Sequence, residues 1–319
     1  MRWLIITCLF IFIVLLSIGV WGYNHFIEPS QLTNKKIVIV PRGIGIERIA
    51  ILLSRQNIIE IPLVFSIAAR TIGGNKKLQA GEFLFPKHSS PRSVLNILQN
   101  GKQVVRRFTV AEGLTNKQIF DLLESTSGLV GEAMMPRIEG ELLPETYHFS
   151  YGDDKNSLIK RMRDAMRKIL DDLWQSRSPN LQINNAKDAL ILASIVERET
   201  GRSAERRRVA GVFINRLRRN MKLQSDPTVI FAITKGNREL MRALTRKDLK
   251  IKSPYNTYYI KGLPPEAITN PGRAAIKAVM NPLNTDELYF VADGKGGHYF
   301  SKNLAEHNRN VIRWRQMSK

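Results

Sequence analysis

Residues 186–201, AKDALILASIVERETG, combine a helical pattern of apolar side chains with carboxyl groups. At ~100° per residue, Leu192, Ile195, Val196 and Glu199 share one stripe, the i, i+3, i+4, i+7 pattern of a buried helix face. Glu199 continues this apolar stripe, so loss of water around its carboxyl should raise its pKa. A carboxyl with a raised pKa can act as a general acid near neutral pH.

Two features of the same segment qualify this interpretation. Glu197 points nearly opposite to the stripe, so it is the weaker candidate for the acid. The helix is expected to end near Gly201, which would leave Glu199 at a wet rim. There it could form an ion pair with one of the three arginines that follow, Arg202, Arg206 and Arg207. Periodicity alone leaves both alternatives open.

More helices surround this segment once the pattern changes after about Gly128. Residues 155–174 carry apolar side chains along one face of a charged helix, and residues 204–219 form a helix after the Gly201 break. Beyond them, helices alternate with loops rich in Pro, Asn and Gly. We therefore expect a mainly helical domain over residues 129–319.

The loops of this domain mix aromatic rings with amides and hydroxyls. They are LQSDPT at 223–228, SPYNTYYIKGLPPEAITNPG at 253–272 and YFVADGKGGHYFSKNLAEHN at 289–308. Aromatic rings can stack on the apolar faces of sugars while amides and hydroxyls bond sugar hydroxyls. Ordinary turn chemistry is the alternative, because Pro, Asn and Gly form turns in any case. The residues of interest are Gln224, Tyr255, Asn256, Thr257, Tyr258 and Asn270.

A repeat precedes this domain. Residues 38–53, VIVPRGIGIERIAILL, and residues 108–123, FTVAEGLTNKQIFDLL, share matching positions that include Gly43 and Gly113. Each copy predicts a short strand, a glycine turn and a helix. Between the copies we expect a helix at 62–72, a strand at 78–85 and a helix at 90–100. The pattern indicates a small α+β module over residues 36–128, with binding or spacing as its role.

The first 27 residues predict a membrane anchor. Residues 3–21, WLIITCLFIFIVLLSIGVW, carry no charge, and about 20 such residues span a bilayer core. Arg2 precedes the run and the first acid is Glu28, which places the amino terminus in the cytoplasm and the rest of the chain outside. A cleaved signal peptide is the alternative, but its apolar core is usually only ~7–15 residues long.

Composition narrows the class of partner. The 319 residues include 49 Lys and Arg against 28 Asp and Glu, a net charge of +21. Such a charge favours anionic partners, and an exported chain meets lipids and wall polymers rather than nucleic acid. Cys8 is the single cysteine, which excludes a disulfide framework. His298 and His307 lack metal-binding spacing, so we expect no metal and no cofactor.

Several motifs together resemble the endolytic murein transglycosylases, the MltG or YceG-like family. They are the anchor, EGELLPETYHF at 139–149, the 186–201 helix, FINRLRRNMKLQSDPTV at 213–229 and the two long loops, so the resemblance covers nearly the whole chain. It implies a single transmembrane helix, a LysM-like module beside the membrane, and a lytic-transglycosylase-like catalytic domain at 129–319. The fold class is therefore α+β.

The resemblance also implies an activity and a location. Such enzymes cleave nascent peptidoglycan strands internally and release them, at the outer face of the plasma (inner) membrane and near penicillin-binding proteins. The family's catalytic glutamate corresponds to Glu199, which the stripe selects independently. The remaining implied substrate contacts are Gln224, Asp226, Tyr255, Asn256 and Thr257.

One carboxylate is enough for a lytic transglycosylase, because the attacking hydroxyl belongs to the substrate. Two alternatives stay open at this point. A muramidase-type hydrolase would use Glu199 with a second acid such as Asp226. A non-catalytic scaffold would bind glycan strands without turnover.

Overall fold

A computed structural model describes residues 2–74, 76–179 and 181–317. Helix α1, Arg2–Ile27, contains the predicted apolar run. Within the described residues it is the one helix long and apolar enough to cross a membrane. Large apolar side chains such as Phe10 (66% exposed) and Leu15 (62%) project from it, as expected of a helix whose surroundings are lipid.

The described chain forms two compact units. The first contains Met1–Arg106 with His148–Asp153, and the second contains Arg107–Tyr147 with Asp154–Lys319. The paired strands are short and form two-stranded sheets, β1 with β2, β3 with β5, β4 with β6 and β7 with β8. Their ranges are Lys36–Val40 (β1), Gly81–Phe85 (β2), Val105–Thr109 (β3), Leu129–Val130 (β4), Thr146–Ser150 (β5), Asp153–Asp154 (β6), Tyr289–Ala292 (β7) and His298–Ser301 (β8).

The first unit packs three helices around the β1–β2 pair. These helices are Ile46–Arg55 (α2), Pro62–Thr71 (α3) and Pro91–Asn100 (α4). The strands run antiparallel with Val38 opposite Phe83, and both side chains are buried in one apolar core. Ser90 caps α4 by accepting the Ser93 N–H at 3.2 Å, and Gly101 follows the last helical residue. The elements predicted between the two repeat copies are confirmed.

The repeat has a physical basis in its glycines. Gly43 has φ +80° and Gly113 has φ +79°, a left-handed conformation that favours glycine. Each glycine lies between a strand and a helix, β1 and α2 in the first copy, β3 and α5 (Asn116–Ser125) in the second. Thr115 caps α5, with Gln118 completing a capping box. The predicted strand, turn and helix are therefore present in both copies.

The second unit is mainly helical. Its longer helices after α5 are Lys155–Gln175 (α6), Ala186–Glu199 (α7), Ser203–Arg218 (α8), Asp226–Thr234 (α9), Arg273–Met280 (α10) and Leu304–Met317 (α11), with a short 3-10 turn at Asp248–Lys250. The core of the unit is formed by the inner faces of α7, α8 and α10. Leu192, Ile195 and Val196 of α7 are fully buried there, as the stripe predicts.

The α+β class is confirmed, as is a single amino-terminal helix that could span a membrane. The likeness of the first module to LysM and the domain boundaries at residues 27 and 128 stay predictions.

Candidate active site

Glu199 is the last residue of α7, at the edge of the core. Asn185 starts the helix by accepting the Asp188 N–H at 2.8 Å, which sets the register of the apolar stripe. Thr200 leaves the helix in an extended conformation. The stripe therefore ends in Glu199, a residue that is partly exposed as a whole, while the three apolar residues before it are fully buried.

Ser225 holds the Glu199 carboxyl from the neighbouring helix. It occupies the N-cap position of α9, but its side chain makes no capping bond there. Its hydroxyl instead donates to Glu199 Oε1 at 2.5 Å. The Ser225 N–H donates to Thr257 Oγ1 at 2.9 Å, which fixes the serine backbone. Among the described residues no other hydrogen bond to the Glu199 carboxyl is found, so Oε2 can receive another partner.

Burial raises the pKa of Glu199 to about 7. The Ser225 hydrogen bond favours the carboxylate and opposes this rise, whereas the negative charge of Asp226 adds to it. Arg216 acts in the opposite direction to Asp226 because its positive charge stabilises the carboxylate. A carboxyl with a pKa near neutrality can both give and take a proton under physiological conditions.

The three arginines considered as ion-pair partners bind elsewhere. Arg202 donates to the Lys295 carbonyl, and Arg207 Nε donates to the Asn281 carbonyl at 2.8 Å. Arg206 lies 3.4 Å from carboxylates of Glu112 and Glu197. The ion-pair alternative for Glu199 is therefore wrong, because the carboxyl faces Ser225 rather than these guanidinium groups.

Glu197 has a structural environment of its own. Its side chain is only 5% exposed, and Oε2 accepts the Gly272 N–H at 2.8 Å while Oε1 faces Arg206. Burial raises its pKa as well. Oε2 thus holds the start of α10 and Oε1 pairs with α8, which leaves this carboxyl poorly placed to reach a substrate.

Gln224 and Asp226 flank Ser225 and are exposed. Gln224 adopts a positive φ of 52°, and its Oε1 accepts from Arg216 Nη1 at 3.3 Å. Asp226 accepts from the Tyr258 hydroxyl at 2.7 Å. The structure thus places both predicted residues beside the serine that bonds Glu199, and it brings Asp226 close enough for its charge to act on that carboxyl.

The other three predicted residues lie in the loop at 253–272. Tyr255 is partly exposed, donates its hydroxyl to Glu266 at 3.1 Å and packs its ring 4.9 Å from that of Phe231. Thr257 and Asn256 are fully buried. Thr257 Oγ1 accepts the Ser225 N–H, so this residue acts on Glu199 through the serine.

The Asn256 amide is committed to its own loop. It donates to the carbonyls of Leu249 and Ile251 at 3.1 and 2.8 Å, and its oxygen accepts the Tyr258 N–H at 2.9 Å. These bonds position Tyr258, whose hydroxyl reaches Asp226. Neither Asn256 nor Tyr255 contacts Glu199, and their assignment to the substrate stays a prediction.

Sequence reasoning missed two residues at this site, Ser225 and Arg216. Ser225 stands before Asp-Pro, where a helix cap is expected, and its failure to cap depends on the tertiary fold. Arg216 is 7% exposed and donates to the carbonyls of Leu223 and Leu288 at 2.7 and 2.6 Å. Its position on the buried face of α8 is a signal that could have been used.

Glu139 is a second buried carboxyl in this unit, and burial raises its pKa to about 7. Both of its oxygens accept the Asn116 N–H, at 3.1 and 2.8 Å, and Oε2 also accepts from the Asn270 amide at 3.3 Å. Asn270 is fully buried and bonds to Leu114 and Asn116 as well. This cluster joins separate loops and has no free carboxylate oxygen.

Within the described ranges, no group of three or more His, Cys, Asp or Glu side chains could hold a metal ion. His298 bonds Glu205 at 2.7 Å, and His307 stacks on Tyr289 with ring centroids 5.1 Å apart. Both histidines thus have local structural partners.

Comparisons with known proteins converge on one family. A family model described as the YceG-like family matches residues 38–313. An endolytic murein transglycosylase of Streptococcus pneumoniae serotype 2 is 31% identical, with 94% of this chain and 63% of that protein covered. The chain thus spans less than two thirds of this relative's length.

Two further comparisons cover most of both chains. An endolytic murein transglycosylase of Bacillus subtilis is 28% identical, over 90% of this chain and 87% of its own length. A crystal structure of a yceG-like protein from Listeria monocytogenes matches with a TM-score of 0.52 and 28% identity. That match covers 86% of this chain and 98% of the other.

Proposed function

Because the chain belongs to the YceG-like family, we propose that it is an endolytic lytic transglycosylase of peptidoglycan. It cleaves the bond between MurNAc and GlcNAc inside nascent glycan strands and leaves 1,6-anhydroMurNAc ends. One observation carries the proposal: Glu199, at a partly exposed helix end, has a carboxyl with a pKa of about 7 that accepts one hydrogen bond, on Oε1. The activity named for the relatives agrees with it.

The reaction needs one group that acts first as an acid and then as a base. Protonated Glu199 gives its proton to the glycosidic oxygen as the bond to MurNAc C1 breaks. The resulting carboxylate takes the proton of the MurNAc 6-hydroxyl while that oxygen attacks C1. Glu199 is protonated again at the end, and no water is consumed. Because the nucleophile is part of the substrate, its recruitment carries little entropic cost.

Neighbouring residues tune and orient this carboxyl. The Ser225 hydroxyl stabilises the carboxylate formed between the two proton transfers, and Arg216 does so through its charge. Gln224, Asp226 and Tyr255 contact the glycan directly, since each is exposed at least in part. Asn256 and Thr257 support that surface from within the loop.

A muramidase-type hydrolase is the second candidate, and one observation favours it. Asp226 lies close enough for its charge to raise the pKa of Glu199, so a second carboxylate is available to activate water. The two reactions differ in their products, because an anhydro end lacks one water relative to a reducing end. A non-catalytic scaffold would give neither product.

Digestion of uncrosslinked glycan strands followed by mass spectrometry of the ends tests the proposal. We expect anhydro ends from wild type and a loss of ~10²–10⁴-fold for Glu199→Gln, because the amide cannot cycle a proton. Glu197→Gln is the matched control and should retain cleavage. Reducing ends would favour the hydrolase, and absence of turnover in wild type would favour the scaffold. An inactive Glu197→Gln beside an active Glu199→Gln would make Glu197 the catalytic residue.

We further propose that α1 crosses the plasma (inner) membrane once, with the amino terminus in the cytoplasm and the catalytic domain outside. Arg2 before the span and the absence of an acid until Glu28 support this orientation. Anchoring keeps the enzyme where new strands emerge, beside peptidoglycan synthases such as penicillin-binding proteins, and away from nucleic acid.

Labelling of intact cells tests this orientation. A membrane-impermeant thiol reagent should reach Met241→Cys in a Cys8→Ser background, because Met241 is 90% exposed in the second unit. Labelling only after the cells are lysed would refute the orientation.

A further inference from the structure

Helix α3 has an apolar face that the first unit does not cover. Phe65 and Ala69 on its inner side are buried at 0% and 4% exposure. On the other side Leu63 is 68% exposed and Ile67 is 53% exposed, one helical turn apart. A short surface helix of a soluble domain usually presents polar residues on its outer side. We therefore expect this face to contact an apolar partner.

The uncovered face borders a groove shared with α1. The groove has a volume of about 440 Å³ and lies within the first unit. Its apolar walls come from both helices: Leu15, Ile18, Trp21, Phe26, Leu63 and Ile67. The exposed side chains of α3 are thus continuous with those of the helix proposed to cross the membrane.

Aromatic residues place this groove at the edge of the bilayer. Trp21 and Tyr23 line it and are 50% and 53% exposed. Trp and Tyr are enriched where lipid headgroups meet the apolar core, so they mark the level at which α3 lies. Arg70 of α3 has a side chain that is 62% exposed and paired with Glu47. A long arginine side chain can reach the headgroups while its helix rests on the apolar layer.

We propose that the face formed by Leu63 and Ile67 docks on the lipid bilayer, with acyl chains of the leaflet at the carboxyl-terminal end of α1 filling the groove. The helix then lies in the interface as an amphipathic anchor beside the transmembrane one. This inference rests on the proposed span by α1. Its consequence is that the first unit is held against the membrane surface and does not swing freely on a tether.

Fluorescence quenching in vesicles tests the proposal with the full chain. The single Cys8 of the wild type lies in α1 and is exposed, so an environment-sensitive dye on it reports the span. A dye on Ile67→Cys in a Cys8→Ser background reports the α3 face, and a dye on Met241→Cys in the same background is the matched exposed site. The vesicles contain phosphatidylglycerol and phosphatidylcholine with brominated acyl chains, and iodide is the aqueous quencher.

We expect brominated lipid to remove most of the emission at positions 8 and 67 and little at 241, and iodide to do the reverse. If Cys8 is quenched by lipid while position 67 behaves like position 241, the span stands and the docking is overturned. Protection of position 67 from both quenchers would also overturn it, and would indicate a second copy or another protein on this face. If Cys8 itself escapes the lipid quencher, the span and the docking both fail. Cleavage of glycan strands by the same samples reports the proposed activity separately and checks that each labelled variant is folded.

Discussion

The Glu199→Gln substitution should stabilise the protein at alkaline pH while removing its activity. Burial raises the pKa of Glu199 from an ordinary 4.5 to about 7. At ~1.4 kcal/mol per pKa unit, this difference corresponds to about 3 kcal/mol. Relaxation of the protein around a buried charge lowers the penalty for burying it, so about 3 kcal/mol is the upper end of the expected effect.

The sign follows from which state holds the proton more tightly. Between the ordinary pKa of 4.5 and about 7, the folded protein binds this proton and the unfolded chain releases it. Stability therefore falls as pH rises through this window, and above it the full destabilisation from the buried carboxylate is present. Glutamine carries no charge at any pH and can still accept the Ser225 hydroxyl, so the variant escapes the cost.

Urea unfolding of wild type and variant at about pH 4 and about pH 8 measures the effect as a difference in unfolding free energy. We expect near equality at the lower pH and a more stable variant at the higher pH. Glu132→Gln removes an exposed carboxyl and serves as the control for the loss of one charge. A Glu199→Gln protein that is less stable than wild type at the higher pH, or equally shifted at both, would refute burial as the cause of the raised pKa.

Four further substitutions test how the site is tuned and supported. Ser225→Ala removes a hydrogen bond to the carboxylate, so the Glu199 pKa rises and the alkaline limb of the pH–rate profile moves to higher pH; no movement would count against the bond. Asp226→Asn removes a negative charge and should move that limb to lower pH, whereas complete loss of turnover would support the hydrolase. Asn256→Ala leaves two partly buried carbonyls unbonded and should lower the free energy of unfolding, measured in urea, by about 1–3 kcal/mol. Gln224 is exposed, so Gln224→Ala should leave the free energy of unfolding unchanged and raise KM. If Gln224→Ala instead lowers stability and Asn256→Ala raises KM, then Asn256 contacts the substrate and Gln224 supports the loop.

Helical periodicity predicted the second unit well because its helices are buried on one side. Residues 155–174 were predicted from one apolar stripe, and α6 extends over Lys155–Gln175 with Leu158 and Met162 fully buried. The repeat was equally informative, since a glycine shared by both copies coincides with a positive φ in each. In both cases the sequence pattern records a local geometric constraint.

The roles of the loop residues could not be predicted from periodicity, because an amide in a loop can either bind a ligand or bond the protein backbone. Asn256 and Asn270 suit sugar recognition by residue type, yet both are fully buried and bond to the protein backbone. Their partners are brought together by tertiary packing, as with the Leu114 carbonyl that binds Asn270. Residue type alone does not distinguish an amide that reads a ligand from one that holds a loop.

The reasoning that selected Glu199 applies equally to Arg216. Helix α8 repeats the spacing of three buried apolar residues followed by a charged one: Val209, Val212, Phe213 and Arg216. Burial raises the pKa of the glutamate and lowers that of the arginine, because in both it disfavours the charged form. Only the glutamate can exchange a proton near neutral pH, so the role of the arginine is limited to adjusting the pKa of Glu199.

Glu139 shows that a raised pKa is not sufficient to identify the acid: its pKa is also about 7, but both of its oxygens are bonded. A raised pKa identifies a candidate acid, and a free oxygen at a partly exposed end of a helix distinguishes Glu199 from it.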